Sequence, residues 1–389
     1  MNYFHWIAGS ILAVLWASRV LDAAFGMPTV DDISGAEWDP KPNDSQPRVS
    51  IIVPARNEDE HIEQTLRQLL ALGYDTYEVI AVNDRSTDRT GEVMDRVANT
   101  APQNARMQII HVPDLPVGWM GKPHAMWMGA NQANGEWLLF TDADVLFRPD
   151  VLRRAMAYAE RQRADHVVLF PRITMHSAGE RMMVAFFQTL FVFGHRPWKV
   201  ADPQARDHMG VGAFNLIRRR VYDAIGTYRA LHFEVLDDMK LGKLVKNAGY
   251  VQRNVFGHDL ISLRWVKGAM GMVDNLTKNF FAIMSFQWPR TLGSILMLLF
   301  LNLLPFLGIW LAHGWARLPY AVALICMAGI YVGMSRMSDV PAYFFCLHPV
   351  STVMFAYILV RSMVLTLGQR GIFWRGTFYP LDELKKGMV

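Results

Sequence analysis

The sequence WLLFTDAD at residues 137–144 ends an apolar run in two carboxylates, Asp142 and Asp144. Because alternate side chains of an extended chain point to one face, both carboxylates reach the same point at the end of a buried strand. Two acidic groups beside a hydrophobic core are costly to bury unless a cation lies between them. Surface turns and helix caps also contain such triplets. At the end of a strand, however, the segment predicts a site for Mg²⁺ or Mn²⁺ held by Asp144 and Asp142.

Short apolar runs alternate with segments of helical periodicity between residues 47 and 255. The predicted strands cover residues 49–54, 78–82, 107–112 and 137–141, and the predicted helices cover 58–72, 87–97 and 122–133. This alternation predicts an α/β domain with a mostly parallel sheet covered on both faces. Ligands bind such sheets outside the carboxyl ends of the strands. Three polar strand ends should therefore line one edge: ARNE at 55–58, NDRSTD at 83–88 and TDAD at 141–144.

Apolar residues are concentrated at both ends of the chain. Hydrophobic residues make up 52% of the 389 residues, and the mean hydropathy of +0.12 is high for a purely soluble enzyme. Segments 6–24, 292–312 and 318–335 are close to the length that crosses a bilayer. The first lacks a basic leader and a cleavage site, which favours a retained anchor over a signal peptide. In a fourth tract, 342–367, Pro349 and Arg361 favour a kinked or re-entrant course.

These patterns predict the organisation of the whole chain. The predicted parts are an N-terminal transmembrane anchor (1–26), a linker (27–47), an α/β domain (48–265), an interfacial amphipathic helix (266–290), C-terminal transmembrane helices (291–368) and a basic tail (369–389). A net charge of +4 suits anionic lipid or phosphate, and no basic run interleaved with aromatic residues indicates nucleic acid. The two cysteines, Cys326 and Cys346, lie in apolar tracts, which argues against a disulfide framework or a cysteine metal site.

Five motifs occur in an order that is known from one enzyme family. They are VPARNE (53–58), VNDRSTD (82–88), GKPHA (121–125), TDAD (141–144) and the acidic pair at 237–238. In this order they resemble family 2 glycosyltransferases of the GT-A fold. With its apolar flanks, the chain is similar to the membrane-anchored subgroup that includes hopene-associated and ceramide glucosyltransferase-like enzymes. The segment WRGTFY at 374–379 resembles a tail pattern of that subgroup. The resemblance implies a Rossmann-like catalytic domain, a nucleotide-sugar donor and a divalent cation, Mg²⁺ or Mn²⁺.

The first three motifs supply the predicted nucleotide-sugar site. The resemblance implies that Asp84 accepts hydrogen bonds from the uracil or ribose of a UDP-sugar, although a helix cap would also explain an aspartate there. Pro54, Arg56 and Glu58 would wrap the same nucleoside, with Glu58 as the main polar contact; a glutamate is also favoured at a plain helix start. Lys122 would meet the diphosphate or the acceptor, unless it is simply solvated.

The last two motifs supply the predicted metal ligands and the base. By the resemblance, Asp144 is the main metal ligand, Asp142 supports the metal or the donor, and Asp238 deprotonates the acceptor hydroxyl. Asp237 and Asp238 cannot both ionise freely in a desolvated cleft, so one pKa should rise to a value that suits a base. The alternative is that these two residues are only the acidic first turn of a helix, where negative charge is favoured. The implied reaction inverts the anomeric carbon.

One motif departs from the family pattern. Many processive members carry Gln-x-x-Arg-Trp after the base, whereas Ile261 stands here in place of the glutamine and only Arg264 and Trp265 remain. Arg264 would pair with the diphosphate and Trp265 would stack at the acceptor site, or the two would anchor a helix end at the membrane interface. The missing glutamine favours single transfer over polysaccharide synthesis.

Two further segments indicate an active site open to lipid. Segments 182–198 and 265–288 have the composition of amphipathic helices that lie among headgroups, although core packing is an alternative. Nucleotide sugars imply that the α/β domain of this integral membrane protein faces the cytoplasm at a bacterial inner membrane, with the N-terminus outside. Three C-terminal crossings would then export a tail whose Lys and Arg residues favour the inside. The sequence leaves this conflict open.

Three functions are therefore compared. The leading hypothesis is an inverting, metal-dependent enzyme that moves one sugar to a hydroxyl of a membrane lipid such as a hopanoid, sphingolipid or glycerolipid. A processive polysaccharide synthase would need the intact Gln-x-x-Arg-Trp motif and a channel. A non-catalytic membrane scaffold would have no need of Asp144 and Asp238, and both are present. Motifs do not encode the sugar, the lipid, the metal or the oligomeric state, because specificity depends on loop shape.

Overall fold

The computed structural model describes residues 2–40, 46–102 and 106–387. Residue 1 of the predicted anchor, residues 41–45 of the predicted linker and residues 388–389 of the predicted tail lie outside this range. The chain forms two compact units. We call them the helical unit, made of Met1–Thr29, Thr174–Arg196 and Arg264–Leu381, and the α/β unit, made of Val30–Ile173, Pro197–Leu263 and Asp382–Val389.

The strands are short and lie mostly in the α/β unit. They are β1 (Val49–Ala55), β2 (Tyr77–Asp84), β3 (Met107–Val112), β4 (Trp137–Phe140), β5 (Leu146–Phe147), β6 (His166–Leu169), β7 (Arg172–Ile173), β8 (Asn215–Arg218), β9 (Gln252–Val255), β10 (Ile261–Leu263), β11 (Gly371–Trp374) and β12 (Thr377–Pro380).

Helices occur in both units. They are α1 (Asn2–Gly26), α2 (Ile62–Leu69), α3 (Thr90–Asn99), α4 (Gly121–Gln132), α5 (Val151–Arg161), α6 (Ala178–Gly194), α7 (Arg219–Ala224), α8 (Asp237–Asn247), α9 (Gly268–Ile283), α10 (Trp288–Asn302), α11 (Leu304–Leu311), α12 (Leu318–Met334), α13 (His348–Gln369) and α14 (Leu381–Lys386).

The main sheet of the α/β unit has the order β3-β2-β1-β4-β8-β6-β9 among the described residues. Strands β1 to β4 pair in parallel, and β8 is antiparallel to both of its neighbours. Strand β1 is buried along its whole length, and Ile51 and Ile52 enter separate core clusters on the two faces of the sheet. The predicted α/β fold with a mostly parallel, doubly covered sheet is confirmed. The carboxyl ends of β1, β2 and β4 consequently share one edge.

Pro54 lies inside this central strand, where proline is uncommon. Strand β4 pairs with β1 only from Val49 to Ile52, so Pro54 lies beyond the last position that pairs with β4. On the other side its partner is Val82 of β2. Pro54 therefore lies one residue before the end of β1, where only β2 still pairs with the strand, and the loop 56–61 follows.

The predicted helix at 58–72 starts later than the sequence indicated. The helix α2 begins at Ile62, because the backbone of residues 57–59 is tied to the neighbouring loop instead of forming a first turn. Asn57 N–H donates to the Ser86 hydroxyl (3.1 Å), and Glu58 N–H donates to the Thr90 hydroxyl (2.7 Å). The two loops that follow β1 and β2 are thus joined to each other.

The helical unit contains the segments that were predicted to cross the membrane. In the part of the chain that the structure describes, Tyr3–Thr29, Gly314–Met334 and Ala342–Gln369 are long and apolar enough to do so. The helices α10 and α11 form a fourth candidate only as a pair, which is bent by 51°. Residues 174–196, which were predicted inside the domain 48–265, belong to the helical unit, since buried side chains of α6 such as Phe186 contact α13 through Phe355.

The segment 292–312, which was predicted as a membrane span, consists of two helices rather than one. The helix is broken at Leu303, because Pro305 has no N–H to donate to the carbonyl of Leu301. The indole N–H of Trp16 donates to that carbonyl instead, at 2.9 Å. A side chain of α1 thus satisfies the polar group that the break exposes, as required in an apolar environment.

The proline in the last apolar tract does not kink its helix. Pro349 lies in the first turn of α13, where an N–H would have no helical partner. The helix then continues without interruption to Gln369. The kink that Pro349 predicted is therefore absent. The continuous helix does not test the alternative prediction of a re-entrant course.

Candidate active site

The segment that carries Asp142 is fixed on both sides by backbone hydrogen bonds. Thr141 N–H donates to the carbonyl of Ile52 in β1, and Asp142 N–H donates to the carbonyl of Gly212 in the loop before β8. A side chain at Gly212 would collide with the carboxylate of Asp142. Glycine at this position therefore allows the loop 209–212 to approach the acidic strand end closely.

Lys122 joins this strand end to the predicted base. From the first turn of α4, its Nζ lies 2.6 Å from Oδ1 of Asp142. Burial disfavours charge on the amine, but Asp142, Asp237 and Asp238 outweigh burial and raise the pKa of Lys122. Lys122 is thus ion-paired with Asp142 and lies in the electrostatic field of Asp237 and Asp238. The sequence placed Lys122 against a ligand or in solvent, whereas the structure places it among carboxylates.

Asp237 and Asp238 form the first turn of α8. Oδ1 of Asp238 accepts a hydrogen bond from Met239 N–H at 2.7 Å. Asp237 is only 3% exposed, and its Oδ2 has no hydrogen-bond partner among the described residues. Burial raises the pKa of Asp237 to about 7, a rise that Lys122 opposes and Asp238 adds to. Burial likewise raises the pKa of Asp238, again against Lys122. The geometry provides two carboxylates that hold a proton more tightly than usual, which suits a general base.

Asp144 lies in a second concentration of negative charge. Burial, together with the charges of Asp142 and Glu58, raises its pKa to about 7. Within residues 2–40, 46–102 and 106–387, no group of three or more His, Cys, Asp or Glu residues is arranged to hold a metal. Magnesium-type ions are often held by one or two carboxylates, with water and substrate phosphate as the other ligands. The pair Asp142 and Asp144 fits an ion of this kind.

Asp84 is buried at the end of β2 and held by two arginines. Arg85 binds it in a bidentate way, with Nε 2.8 Å from Oδ1 and Nη2 3.1 Å from Oδ2, and Arg56 Nη1 lies 3.8 Å from Oδ2. The alternative role as a helix cap is not observed for Asp84. The N–H of Thr90, at the start of α3, donates instead to Oδ1 of Asp88. Asp84 is thus a buried carboxylate at a strand end, and it lies next to Gly121, the first residue of α4. This location favours contact with a ligand over the role of a helix cap.

The two loops around Asp84 carry unusual backbone conformations. Asn57 and Arg85 have φ angles of 55° and 53°, in the left-handed region. The Asn57 carboxamide accepts a hydrogen bond from Thr87 N–H at 2.8 Å, which links the loop after β1 to the loop after β2. Such conformations persist only where the surroundings enforce them, and they cluster at functional sites.

Arg264 and Trp265 belong to the helical unit, whereas the acidic residues 142, 144, 237 and 238 belong to the α/β unit. Arg264 Nη2 lies 2.7 Å from Oε1 of Glu180, and the Trp265 ring contacts Phe187 at 4.6 Å between centroids. Glu180 also accepts hydrogen bonds from His176 N–H and Gly268 N–H. Although burial opposes it, the pairing with Arg264 holds the pKa of Glu180 well below its usual range. Helix α6 thus fixes both residues of the Arg-Trp motif, two turns apart.

Sequence reasoning missed the side chains that hold the loop 209–212. The carboxamide of Gln252 accepts from Met209 N–H (2.9 Å) and donates to the carbonyls of Met209 and Gly242, both at 3.1 Å. His166 lies 2.8 Å from Gln252 Nε2 and 3.2 Å from Asn215 Oδ1. Asn215 in turn donates to the carbonyl of Val211 at 2.9 Å. All three side chains are buried.

This network places the loop between two of the acidic residues. Besides the contact of Gly212 with Asp142, a side chain at Gly210 would collide with the backbone carbonyl of Asp238. The paired glycines in MGVG at 209–212 were the available signal, since they indicate close approach of the backbone to a neighbour. Gln252, His166 and Asn215 lie far from this motif in sequence and carry no pattern of their own.

Replacing Gln252 with leucine should lower kcat by about 10- to 100-fold while the KM for donor changes little. Leucine has about the volume of glutamine but cannot form the hydrogen bonds that hold the backbone of Met209. A shift of about 1 Å in a reacting group lowers the rate by up to roughly 100-fold. The measurement is steady-state kinetics beside a thermal unfolding curve. Gln132→Leu, on the exposed end of α4, is the control. Unchanged kcat in a folded Gln252→Leu variant would show that the loop needs no such support.

Comparisons with known proteins identify the family of this domain. Residues 50–238 match the model of the family "Glycosyl transferase family 2". The 4,4'-diaponeurosporenoate glycosyltransferase of Staphylococcus aureus strain USA300 is 21% identical over 345 residues, covering 86% of this chain and 89% of the relative. The same enzyme of strain MRSA252 is 22% identical over 342 residues, with the same coverage.

A solved structure supports the fold. The mannosyltransferase PcManGT from Pyrobaculum calidifontis, solved in complex with GDP-Man and Mn²⁺, is 20% identical with a TM-score of 0.52. The likeness covers 94% of this chain and 99% of that chain. The family model spans both acidic strand ends and extends to Asp238, so residues 50–238 form a family 2 glycosyltransferase domain, and this domain has the GT-A fold.

Proposed function

We propose that the enzyme transfers a single sugar from a nucleotide-sugar, most simply a UDP-sugar, to a hydroxyl group of a membrane lipid, with inversion at the anomeric carbon. The observation that carries the proposal is the meeting of Asp142, Asp237 and Asp238 around Lys122. A base and a donor-side carboxylate are then within reach of one ammonium group. In this arrangement an acceptor oxygen can lose its proton where it attacks the sugar.

Each side chain has a distinct proposed role. Asp238 takes the proton of the acceptor hydroxyl, while Asp237, which is more fully enclosed, keeps the local charge high and so keeps Asp238 basic. Asp84, held by Arg56 and Arg85, receives the nucleoside. Lys122 keeps Asp142 in place until the diphosphate enters. Its ammonium group then neutralises part of the negative charge of the diphosphate.

The residues Asp144 and Asp142 would hold a divalent cation, Mg²⁺ or Mn²⁺, with Glu58 adding to the negative charge around them. When bound, such an ion neutralises the charge that develops on the leaving diphosphate. The Mn²⁺ and GDP-Man bound to the Pyrobaculum mannosyltransferase support a divalent cation and a nucleotide-sugar in this family.

A lipid acceptor is supported by the helical unit. Its candidate spans would hold the enzyme in a membrane, and the Arg-Trp segment at 264–265 is fixed to α6, which has an aromatic face. The name of the staphylococcal relatives gives 4,4'-diaponeurosporenoate as the compound that they glycosylate. We infer an integral protein of a bacterial inner membrane, with the α/β unit in the cytoplasm, where nucleotide-sugars are made.

The decisive experiment offers the purified enzyme a membrane lipid extract and a panel of radiolabelled UDP- and GDP-sugars with Mn²⁺. Label that partitions into organic solvent and migrates as one discrete product supports single transfer to a lipid. A water-soluble polymer would favour the polysaccharide synthase. The Asp238→Asn variant is the matched blank, and label in neither phase with any donor would overturn the proposal.

A further inference from the structure

The chain returns to the α/β unit at its carboxyl end. Residues from Asp382 onward belong to that unit, the side chain of Leu384 is buried, and Gly387 lies directly against Phe233. A folded domain lies on one side of a bilayer, because its polar surface does not cross hydrocarbon. The segment Arg264–Leu381, which leaves the unit and comes back to it, must therefore cross the membrane an even number of times.

The same segment offers an odd number of candidate crossings. All of residues 264–381 are described, and they contain the bent pair α10–α11, the helix α12 and the helix α13. By length and composition each can cross. One of the three consequently does not cross.

Contacts inside the helical unit show that α1 and α12 run in the same direction. At their starts, His5 Nδ1 lies 3.2 Å from the Tyr320 hydroxyl. Near their other ends, both helices contact α6. The rings of Trp16 and Phe193 lie 5.0 Å apart, and the Thr189 hydroxyl lies 4.0 Å from the sulfur of Met334. An antiparallel pair would bring the start of one helix beside the end of the other.

This direction identifies the segment that does not cross. The end of α1 is on the side of the membrane that holds the α/β unit, since Val30 of that unit follows the helical unit directly in the chain. The helix α12, parallel to α1, must also run toward the side of the α/β unit. The chain has to reach the far side before α12 begins, and only α10–α11 can take it there. With these two crossings the even number is complete, which leaves α13 on the side of the α/β unit.

The two faces of α13 agree with a position along the membrane surface. One face is fixed to α9, where Arg361 contacts Thr277 (2.7 Å) and Asp274 (3.2 Å), and the Ser362 hydroxyl accepts from Phe281 N–H (2.9 Å). The opposite face exposes apolar residues at helical spacing; they are Val350, Val353, Tyr357, Val360 and Val364. The exposed apolar stripe can enter the acyl chains of one leaflet while the other face stays packed against the protein.

Charge distribution gives independent support. On this course the tail residues Arg370, Arg375, Lys385 and Lys386 stay on the side of the α/β unit. The far side receives the start of α1, which has no Lys or Arg before Arg19, and the turn before α12, which has only Arg317. Lys and Arg accumulate on the cytoplasmic side of membrane proteins. The conflict that the sequence left open does not arise.

We propose that α13 is an interfacial helix that binds the lipid of the leaflet next to the α/β unit, and that the chain crosses the bilayer three times, through α1, α10–α11 and α12. Both the α/β unit and the carboxyl end then lie on the same side. The proposal concerns membrane topology and does not depend on the sugar, the lipid acceptor or catalysis.

Cysteine labelling in cells tests the crossings. In the full chain with Cys326→Ser and Cys346→Ser, single cysteines replace four exposed residues: Arg89 as the reference in the α/β unit, Trp315, Met337 and Phe373. A membrane-impermeant maleimide should label position 315 from the side opposite to position 89, and positions 337 and 373 from the same side as position 89. Label at 337 and 373 from opposite sides would overturn the proposal, as would label at 315 from the side of position 89.

Depth measurement tests α13 directly. Val353→Cys and Val364→Cys are matched in exposure, at 55% and 56%, and are eleven residues apart on one face. That spacing corresponds to about 16 Å along the helix. Nitroxide labels at both sites, measured by power saturation in vesicles, should report the same depth within about 5 Å, given the rise per residue. A difference close to the full spacing would show that α13 crosses, whether or not the enzyme is active.

Discussion

Replacing Asp238 with asparagine should abolish sugar transfer while leaving the fold and donor binding intact. The substitution keeps the shape and the hydrogen bond from Met239 N–H but removes the carboxylate that accepts the proton of the acceptor. General-base catalysis contributes roughly 100- to 10,000-fold to a rate, so kcat should fall by about that factor. The measurement is kcat and KM for the donor in the lipid-extract assay, beside a thermal unfolding curve.

The pH dependence adds a signature that a structural defect would not produce. Burial raises the pKa of Asp238 above its usual range. A base works in its ionised form, so the rate of the parent enzyme should be full above this raised pKa and should fall as pH drops through it. The residual rate of Asp238→Asn should lack that decline. Asp223→Asn, at an exposed site on α7, is the control and should behave like the parent.

Two outcomes would contradict the assignment of Asp238. Near-parent turnover in Asp238→Asn would mean that the acceptor needs no deprotonation, as with a carboxylate acceptor that is already ionised. A deeper loss in Asp237→Asn than in Asp238→Asn would mean that the two residues exchange roles. The orphaned Oδ2 of Asp237 makes the second comparison worthwhile, because a buried oxygen without a partner is uncommon in a folded protein.

Replacing Asp144 with asparagine should weaken divalent metal binding by about 100-fold or more, since changes to outer-shell groups alone cost 10- to 100-fold. The loss follows from the location of Asp144 beside Asp142 and Glu58, where each negative charge raises its pKa and favours a cation. Titration of Mn²⁺ in the presence of UDP, followed by electron paramagnetic resonance, measures binding without turnover. Asp114→Asn, at an exposed site, is the matched control.

Metal binding should also depend on pH in a direction that the site fixes. With the pKa of Asp144 near 7 before a cation enters, protons compete with the metal at and below neutral pH. The apparent affinity for Mn²⁺ should therefore decrease as pH falls from about 8 to 6, the interval that brackets this pKa. Tight Mn²⁺ binding by Asp144→Asn, or an affinity independent of pH in the parent enzyme, would move the metal away from this residue.

The sequence predicted the catalytic fold well because its signals are local. Each strand that ends in a polar motif, such as β4 before Asp142, combines a short apolar run with residues that only a strand end can present. The break at Leu303 also had a local signal, Pro305, which the apolar composition of the segment outweighed. Pro349 gave a local signal that was misleading. A proline in the first turn of a helix does not kink it, and the sequence does not show that α13 begins at His348.

What the sequence did not predict depends on residues far apart in the chain. Gln252 supports the loop 209–212 only after β9 has been brought beside β6, and a single glutamine carries no pattern. The membership of residues 174–196 in the helical unit is similar, because α6 resembles a core helix until its neighbours are known. The pairing of Lys122 with Asp142 is a third example. The sequence shows the order of the two motifs that carry these residues, but it does not show that they are in contact.

The return of the chain at Leu384 and Gly387 has a consequence for synthesis. The ribosome makes residues 30–263 first, then every hydrophobic segment of the carboxyl half, and only then the residues that cover Phe233. The surface of the α/β unit around Phe233 can therefore be covered only after the intervening helices have been made, which couples completion of the catalytic domain to synthesis of the helical unit.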